Sequence, residues 1–288
     1  VPRSARQASK LKVALTHVTL ILLSAIFLIP FFWLISTSLK ELPDTVRQPP
    51  VWVPKLPQWH NYKDAFLFDS GHLGYIPFLY YLRNTILLCW LNVVGTVLSN
   101  ALVAYGFARL RWRGRETFFF ITLATMMVPF PVLMVPTYSL FKWLGWIGSY
   151  RPLWVPAFFG SAFNIFLLRQ FFRGIPFELS EAAVIDGASE WRIFWTVMVP
   201  LSKPALAVVA LFTFLGTWTD FLGPHIYLIE QRMFTLSLGL QFYQSQNAGT
   251  QWNLLMAATT IVILPVVVLF FFTQKLFTRG IALTGLKG

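Results

Sequence analysis

Six apolar runs divide this chain, at about 13–35, 78–107, 118–141, 153–171, 205–222 and 253–273. An apolar stretch of roughly 18 residues or more with few charges is the mark of a helix that crosses a bilayer. Composition points the same way. The chain is 56% hydrophobic and only 12% charged, where a soluble domain carries about 25% charged residues. The runs predict an all-α integral membrane protein with six transmembrane helices.

The first run follows Arg3, Arg6, Lys10 and Lys12. A signal peptide has an apolar core of about 7–15 residues and a small-residue cleavage site; this run is longer and lacks an A-x-A, so an uncleaved first span is expected. Six spans place both termini on one side. That side carries Arg3, Arg6, Lys10, Lys12, Arg109, Arg111, Arg113, Arg115, Arg169, Arg173, Arg192, Lys203, Lys275, Arg279 and Lys287, fifteen of the 23 Lys and Arg. The positive-inside rule makes this side cytoplasmic. The expected organisation is a cytoplasmic N-terminal segment 1–12, a six-span domain 13–273 with a cytoplasmic loop at 174–204, and a cytoplasmic tail 274–288. Loops 40–75 and 229–251 then face outward. Pro129, Pro131 and Pro136 interrupt the third run. Neighbouring helices can satisfy the carbonyls that proline frees in lipid, so a kinked helix within a bundle is expected there.

The net charge of +12 does not indicate nucleic acid, because no basic face with interleaved stacking aromatics lies outside the apolar runs. Cys89 is the single cysteine, and His17, His60, His72 and His225 show no metal-ligand spacing. No G-x-x-x-x-G-K-[ST] nucleotide loop occurs, and no Ser/His/Asp or paired-carboxylate cluster supports an enzyme. Neither metal nor cofactor is expected in this chain.

Between the fourth and fifth runs lies a polar island, 178–204. It holds Glu178, Glu181, Asp186 and Glu190, four of the eleven acidic residues. Pro176 suits a helix first turn, and 177–185 are good helix formers. Asp186-Gly187 breaks the run, since glycine accepts the positive φ of a helix end. Ser189 is an N-cap for a second short helix through Val199, and Pro200 and Pro204 are expected to stop it. Small Ala182, Ala183 and Ala188 flank the turn and permit close approach by another backbone. A helix resting on lipid wants basic residues on its polar face. Here acids predominate from 178 to 192, so a protein-docking surface is favoured.

Glu181-Ala182-Ala183, three residues, Gly187, nine residues, then Val197-x-Val199-Pro200 resembles the EAA loop of ABC importer permeases. Val197 and Val199 depart from the family's Ile and Leu by apolar exchange. Asn164-x(4)-Arg169-x-Phe171-Phe172, Trp218-Thr219-Asp220-Phe221 and the ending Gly285-Leu286-Lys287-Gly288 are similar to the carbohydrate-uptake branch, of the maltose-permease G-type. The resemblance covers about residues 10–288. It implies a type I ABC importer permease-like fold in a bacterial or archaeal cell (inner) membrane. It also implies partners: a second permease subunit, an ATP-binding subunit dimer that holds ATP and Mg, and an extracytoplasmic substrate-binding protein. Glu181, Ala182, Ala183, Asp186, Gly187, Ala188 and Pro200 would contact the ATP-binding subunit through a coupling helix. Gly187 would be least tolerant of change, because a Cβ would strain the turn. The implied cargo is a sugar, oligosaccharide or sugar derivative, with glycerol phosphate or a peptide as alternatives within the family.

Candidates for the translocation pathway are fewer. Asn92, Thr96 and Asn100 form a polar stripe at i, i+4, i+8 with Gly95 and Ser99 beside them. Such a stripe fits helix packing as well as pathway lining, and Asn164 is similar. Asp220 falls ~24 Å along the fifth span at ~1.5 Å per residue, near the outer interface, and is compatible with pathway or structural hydrogen bonding. Trp218 could stack on a sugar ring or pack. A self-sufficient secondary transporter would carry paired intramembrane charges and repeats; only Asp220 stands out.

Overall fold

A computed structural model describes residues 3–245 and 249–284. Gly285–Gly288, with Lys287, lie outside the described residues. Among the described residues, four helices are long and apolar enough to cross a membrane, or up to six if each of two sharply bent pairs counts as one span. The chain divides into two compact units, residues 1–75 with 240–265, and residues 76–239 with 266–288.

In the first unit, Arg3–Ser38 is one continuous helix that takes in both the basic N-terminal stretch and the first apolar run. Every residue from 12 to 32 is exposed, as befits a helix whose neighbours are lipid or another chain. Its end is held by a polar knot. Asn61 Nδ2 donates to the carbonyls of Ser38 and Lys40, both at 2.9 Å. The fully buried Lys40 donates from Nζ to Thr37 Oγ1 at 3.0 Å and lies 3.8 Å over the Trp33 ring. Burial pushes this ammonium below its ordinary pKa, with Asp44 opposing. Asn253 Nδ2 donates to Asn61 Oδ1, and the Tyr243 hydroxyl donates to the Ala65 carbonyl at 2.6 Å. Much of the proline-rich 40–75 stretch is thus tied down rather than loose, with short helices at Leu42–Thr45, His60–Phe66 and Ser70–Leu73.

The second unit is built around the helix Pro77–Ala108. Ala101, Ala104, Tyr105 and Ala108 fall on one face and pack with Leu168, Phe172, Ile193, Phe194, Met198, Ala205 and Val209. The small alanines let the neighbouring helices Ala162–Gly174 and Lys203–Trp218 approach closely, as in membrane bundles generally.

The fourth apolar run is not a single regular helix. It comprises a helical turn Arg151–Trp154, a 3-10 segment Val155–Phe159 and the helix from Ala162. Pro152 and Pro156 remove donors, and Gly160, at φ +82°, turns the chain. The carbonyls left over need partners. Asn92 Nδ2 donates to Leu153 O at 3.0 Å and Ser99 Oγ to Ala157 O at 2.9 Å. Gly95 lies between these donors, and the Phe158 ring occupies the space where a Cβ would stand.

The third run departs from expectation more strongly. Helices Arg115–Met127 and Phe130–Trp143 meet at 100°, a break and not a kink. Val128, forced to extended backbone by the following proline, and Pro129 at ψ 141° together turn the chain. Pro131 then starts the new helix, and only Pro136 lies inside it. The fifth span also ends early. Its helix stops at Trp218, and Gly223-Pro224 belongs to a separate short helix Leu222–Tyr227.

Gly95→Val should lower thermal stability in detergent by about 1–3 kcal/mol through overpacking against Phe158. Gly216→Ala, in a helix with open space around it, should leave stability equal or slightly raised.

Candidate functional site: the loop between the fourth and fifth spans

The island folds as a helix, a tight turn and a second helix. Glu178–Ile185 is helical with Glu178 and Glu181 in its first turn, where acids favour the helix dipole. Asp186 caps it. Gly187 N donates to Val184 O and Ala188 N to Ala183 O, both at 2.9 Å, the paired bonds of a Schellman motif. Gly187 has φ +78° and no atom within 4 Å of a notional Cβ. Its requirement is therefore conformational in this chain, with no crowding to add to it. Ser189 is extended and its side chain accepts from Arg192 N, so the second helix has the expected cap.

That second helix has an irregular course. After Glu190–Ile193 it widens into a π turn, Phe194–Met198, closed by Val199 N donating to Phe194 O. Pro200 follows in the turn Val199–Leu201. It cannot donate, and its ring crowds the carbonyl four residues back; a widened turn relieves that crowding. Pro200 thus continues the helix where it was expected to stop it. The chain bends by 78° between Leu201 and Lys203, with Pro204 in the first turn of the next helix.

Glu181, Ala182, Asp186, Gly187 and Pro200 are exposed, while Ala183 and Ala188 are half-buried against the core. Val184 and Ile185 project outward, Ile185 at 86% exposure. The loop therefore offers small residues, acids and an apolar tip on one side. Its other side is anchored by Ile193, Phe194 and Met198, with Val197 and Val199 packed beside them.

Two polar contacts tie this loop to the spans, and a third, from Arg169, ties the neighbouring spans together. The Tyr105 hydroxyl donates to the Glu190 carboxylate. Arg109, buried just beyond the helix Pro77–Ala108, donates from Nη2 to Phe172 O at 2.8 Å and to Ile175 O. It thereby neutralises carbonyls at the end of the helix Ala162–Gly174, where a cation is favoured. Burial lowers its pKa, and the guanidinium lies 4.4 Å from the Phe177 ring centroid. Arg169 grips both oxygens of Glu116 at 2.9 and 2.7 Å, donates to Phe107 O and lies over the Phe119 ring. None of these pairings has a local signature. The one hint is Glu116, the single acid among four arginines at 109–117.

The other candidates lie elsewhere in the second unit. Asn92 also donates to Leu88 O. Thr96 is buried, and its carbonyl accepts from Asn100 Nδ2 at 2.6 Å. Asn100 Oδ1 accepts from Ser161 N at 2.7 Å, and Asn164 Nδ2 donates to Ser161 Oγ. These groups form a seam with the 151–161 backbone. Trp218 is buried, stacks on Phe214 and accepts from Ser237 Oγ at its carbonyl. Asp220 lies beyond the fifth helix, not within it. Its Oδ1 accepts from Gly223 N at 3.0 Å, and burial raises its pKa against that bond.

Residues 95–283 match the family described as the binding-protein-dependent transport system inner membrane component. The chain is 34% identical to the arabinooligosaccharides transport system permease protein AraQ of Bacillus subtilis (strain 168), over 99% of each chain. It is 32% identical to the sn-glycerol-3-phosphate transport system permease protein UgpE of Pectobacterium atrosepticum, over 92% of this chain and 94% of that one. In structure it is similar to a chain of a bacterial ABC transporter involved in the import of the acidic polysaccharide alginate. The TM-score is 0.78, at 24% identity, over 96% of this chain and 98% of that one, a likeness of fold.

Arg109→Met should free two carbonyls and speed hydrogen exchange across residues 172–178. A local loss of about 2–4 kcal/mol is expected, from charge-assisted bonds of about 1.5–3 kcal/mol each less the guanidinium's own desolvation.

Proposed function

We propose a sugar-import role for this chain on the premise that it belongs to the binding-protein-dependent transport system inner membrane components, the permease subunits of ABC importers. It is a multi-pass membrane component that carries out transport and not catalysis. The cargo we favour is an oligosaccharide, supported by the AraQ likeness along 99% of both chains. Glycerol phosphate is the second reading, supported by the UgpE likeness.

The observation that carries the mechanism is the exposed, Gly187-closed helix Glu178–Ile185, tied to the spans by Tyr105 and Arg109. In this reading the helix docks on an ATP-binding subunit, which holds ATP and Mg. Glu181, Ala182, Ala183, Asp186, Gly187, Ala188 and Pro200 form or support the contact. Motion of that subunit is passed to the helices Pro77–Ala108 and Lys203–Trp218, and the pathway alternates its access. Such coupling requires contacts that differ between the two states. A second permease subunit completes the pathway, and an extracytoplasmic binding protein delivers cargo to loops 40–75 and 229–251.

The loop side is cytoplasmic in this reading, with six spans and both termini inside. It is supported by the gathering of Arg109, Arg115 and Arg169 with the island at one end of the second unit. Among the candidate pathway residues, Trp218 and Asp220 sit at the opposite end of the helix Lys203–Trp218 from the loop, where cargo would arrive. Asn92, Thr96, Asn100 and Asn164 bear on the pathway by holding the fourth span in place.

In the reconstituted importer, Gly187→Trp should reduce labelled arabino-oligosaccharide uptake at least tenfold while ATP hydrolysis persists. Uptake still fully coupled to hydrolysis would sink the coupling role. Competition by glycerol 3-phosphate, and none by oligosaccharide, would move the cargo to the second reading.

A further inference from the structure

Beside the loop lies a basic cavity that the transport reading leaves unused. It has a volume of about 560 Å³ and is lined by Arg109, Arg111, Trp112, Arg115, Arg173 and Phe177, with Glu116 at its edge. The single acid is already committed, since both its oxygens accept from Arg169 and one also from Arg115. The cavity's remaining charge is uncompensated. Arg111 and Arg173 are exposed and make no ion pair among the described residues. Arg109 is only 7% exposed, and its Nε and Nη1 are enclosed without a hydrogen-bond partner, so it adds uncompensated charge to the wall and no open fork. An unpaired, buried guanidinium edge is costly and a nearby anion offsets its charge, while the exposed planar forks of Arg111 and Arg173 match the oxygens of a phosphate.

The position of the cavity says which phosphate. It sits where three apolar segments end: Pro77–Ala108, Arg115–Met127 and Arg151–Gly174. Trp112 in its wall is half-exposed, as interfacial tryptophans are. Along the helix Arg115–Ala124, whose first turn lines the cavity, Phe118, Phe120 and Ile121 form an apolar column at 57%, 67% and 56% exposure. A free anion would use only the arginines. An anionic phospholipid would place its phosphate among them and its acyl chains along that apolar column. We propose that this cavity holds the phosphate headgroup of an anionic phospholipid, with Arg111 and Arg173 as its ligands and the buried charge of Arg109 behind them. The site borders the entrance to the helix Glu178–Ile185 through Phe177 and Ile175, so the bound lipid would brace the loop that Arg109 anchors.

The full chain, purified in detergent, should retain phosphatidylglycerol in preference to phosphatidylcholine when native mass spectra are recorded after exposure to both. Arg111→Gln with Arg173→Gln should cut that retention by roughly twenty-five-fold, at about fivefold per arginine near a lipid surface. Arg113→Gln is the control, equally basic and exposed but outside the cavity wall; in detergent no extended anionic surface acts on it, so retention should stay within about twofold, below the roughly fivefold one basic residue carries at such a surface. An equal loss in the Arg113 variant would reduce the effect to diffuse surface charge and overturn the site. Equal retention of the two lipids, or complete displacement of phosphatidylglycerol by millimolar inorganic phosphate, would overturn a lipid ligand. Displacement by a Glu-rich peptide but not by phosphate would assign the cavity to a protein partner instead. The assay needs no transport, so its outcome is independent of the cargo and of the coupling role.

Discussion

Backbone polar groups in a membrane must find partners inside the protein, and the second unit is organised by that requirement. The fourth span abandons regular helix at Pro152, Pro156 and Gly160. It can do so only because the facing helix supplies Asn92, Ser99 and Asn100 at the right heights. Gly95 gives Phe158 its room. The same requirement is met at the ends of the spans by arginine, with Arg109 serving Phe172 O and Ile175 O and Arg169 serving Phe107 O. Polar side chains here complete a neighbour's main chain, which locks the helices in one register.

That locking decides how a displacement of the 178–201 loop would be shared. The Tyr105–Glu190 and Arg109 contacts bind the loop to the helix Pro77–Ala108, while the π turn Phe194–Met198 and the 78° bend separate it from the axis of Lys203–Trp218. Motion of the loop is thus stiffly joined to one helix and turned through a corner into the other. The Arg169–Glu116 pair extends the stiff side to the helix Arg115–Ala124. The broken third span therefore has one half attached to the loop's anchor and the other half leading away from it.

The positions of the apolar segments, the loop's helix-turn-helix form, the Ser189 cap and the positive φ at Gly187 could all be read from composition and local turn chemistry. These features depend on residues within a few positions of one another. The sequence also located the proline break in the third span, but proline fixes where a helix fails and not the angle of its continuation. The fifth apolar run extends past its helix because Phe221 and Leu222 prolong the hydropathy, whereas Asp220 captures Gly223 N at the start of a new helix. The Asn92–Asn100 stripe was ambiguous for a different reason. Its function depends on what lies opposite, and nothing in one helix discloses that its neighbour lacks regular hydrogen bonds. Arg109 and Arg169 find partners 53 to 66 positions away, beyond any local pattern.

The Schellman turn at Gly187 is closed entirely by the chain's own main-chain bonds, with open space around it. Bonds within the segment are enough to define the turn. A partner that engages them does not have to order the segment first, and the entropic cost that weakens binding by unstructured loops falls mainly on side chains. In the proposed docking role, such a contact can be brief and still selective, made and broken without refolding either surface.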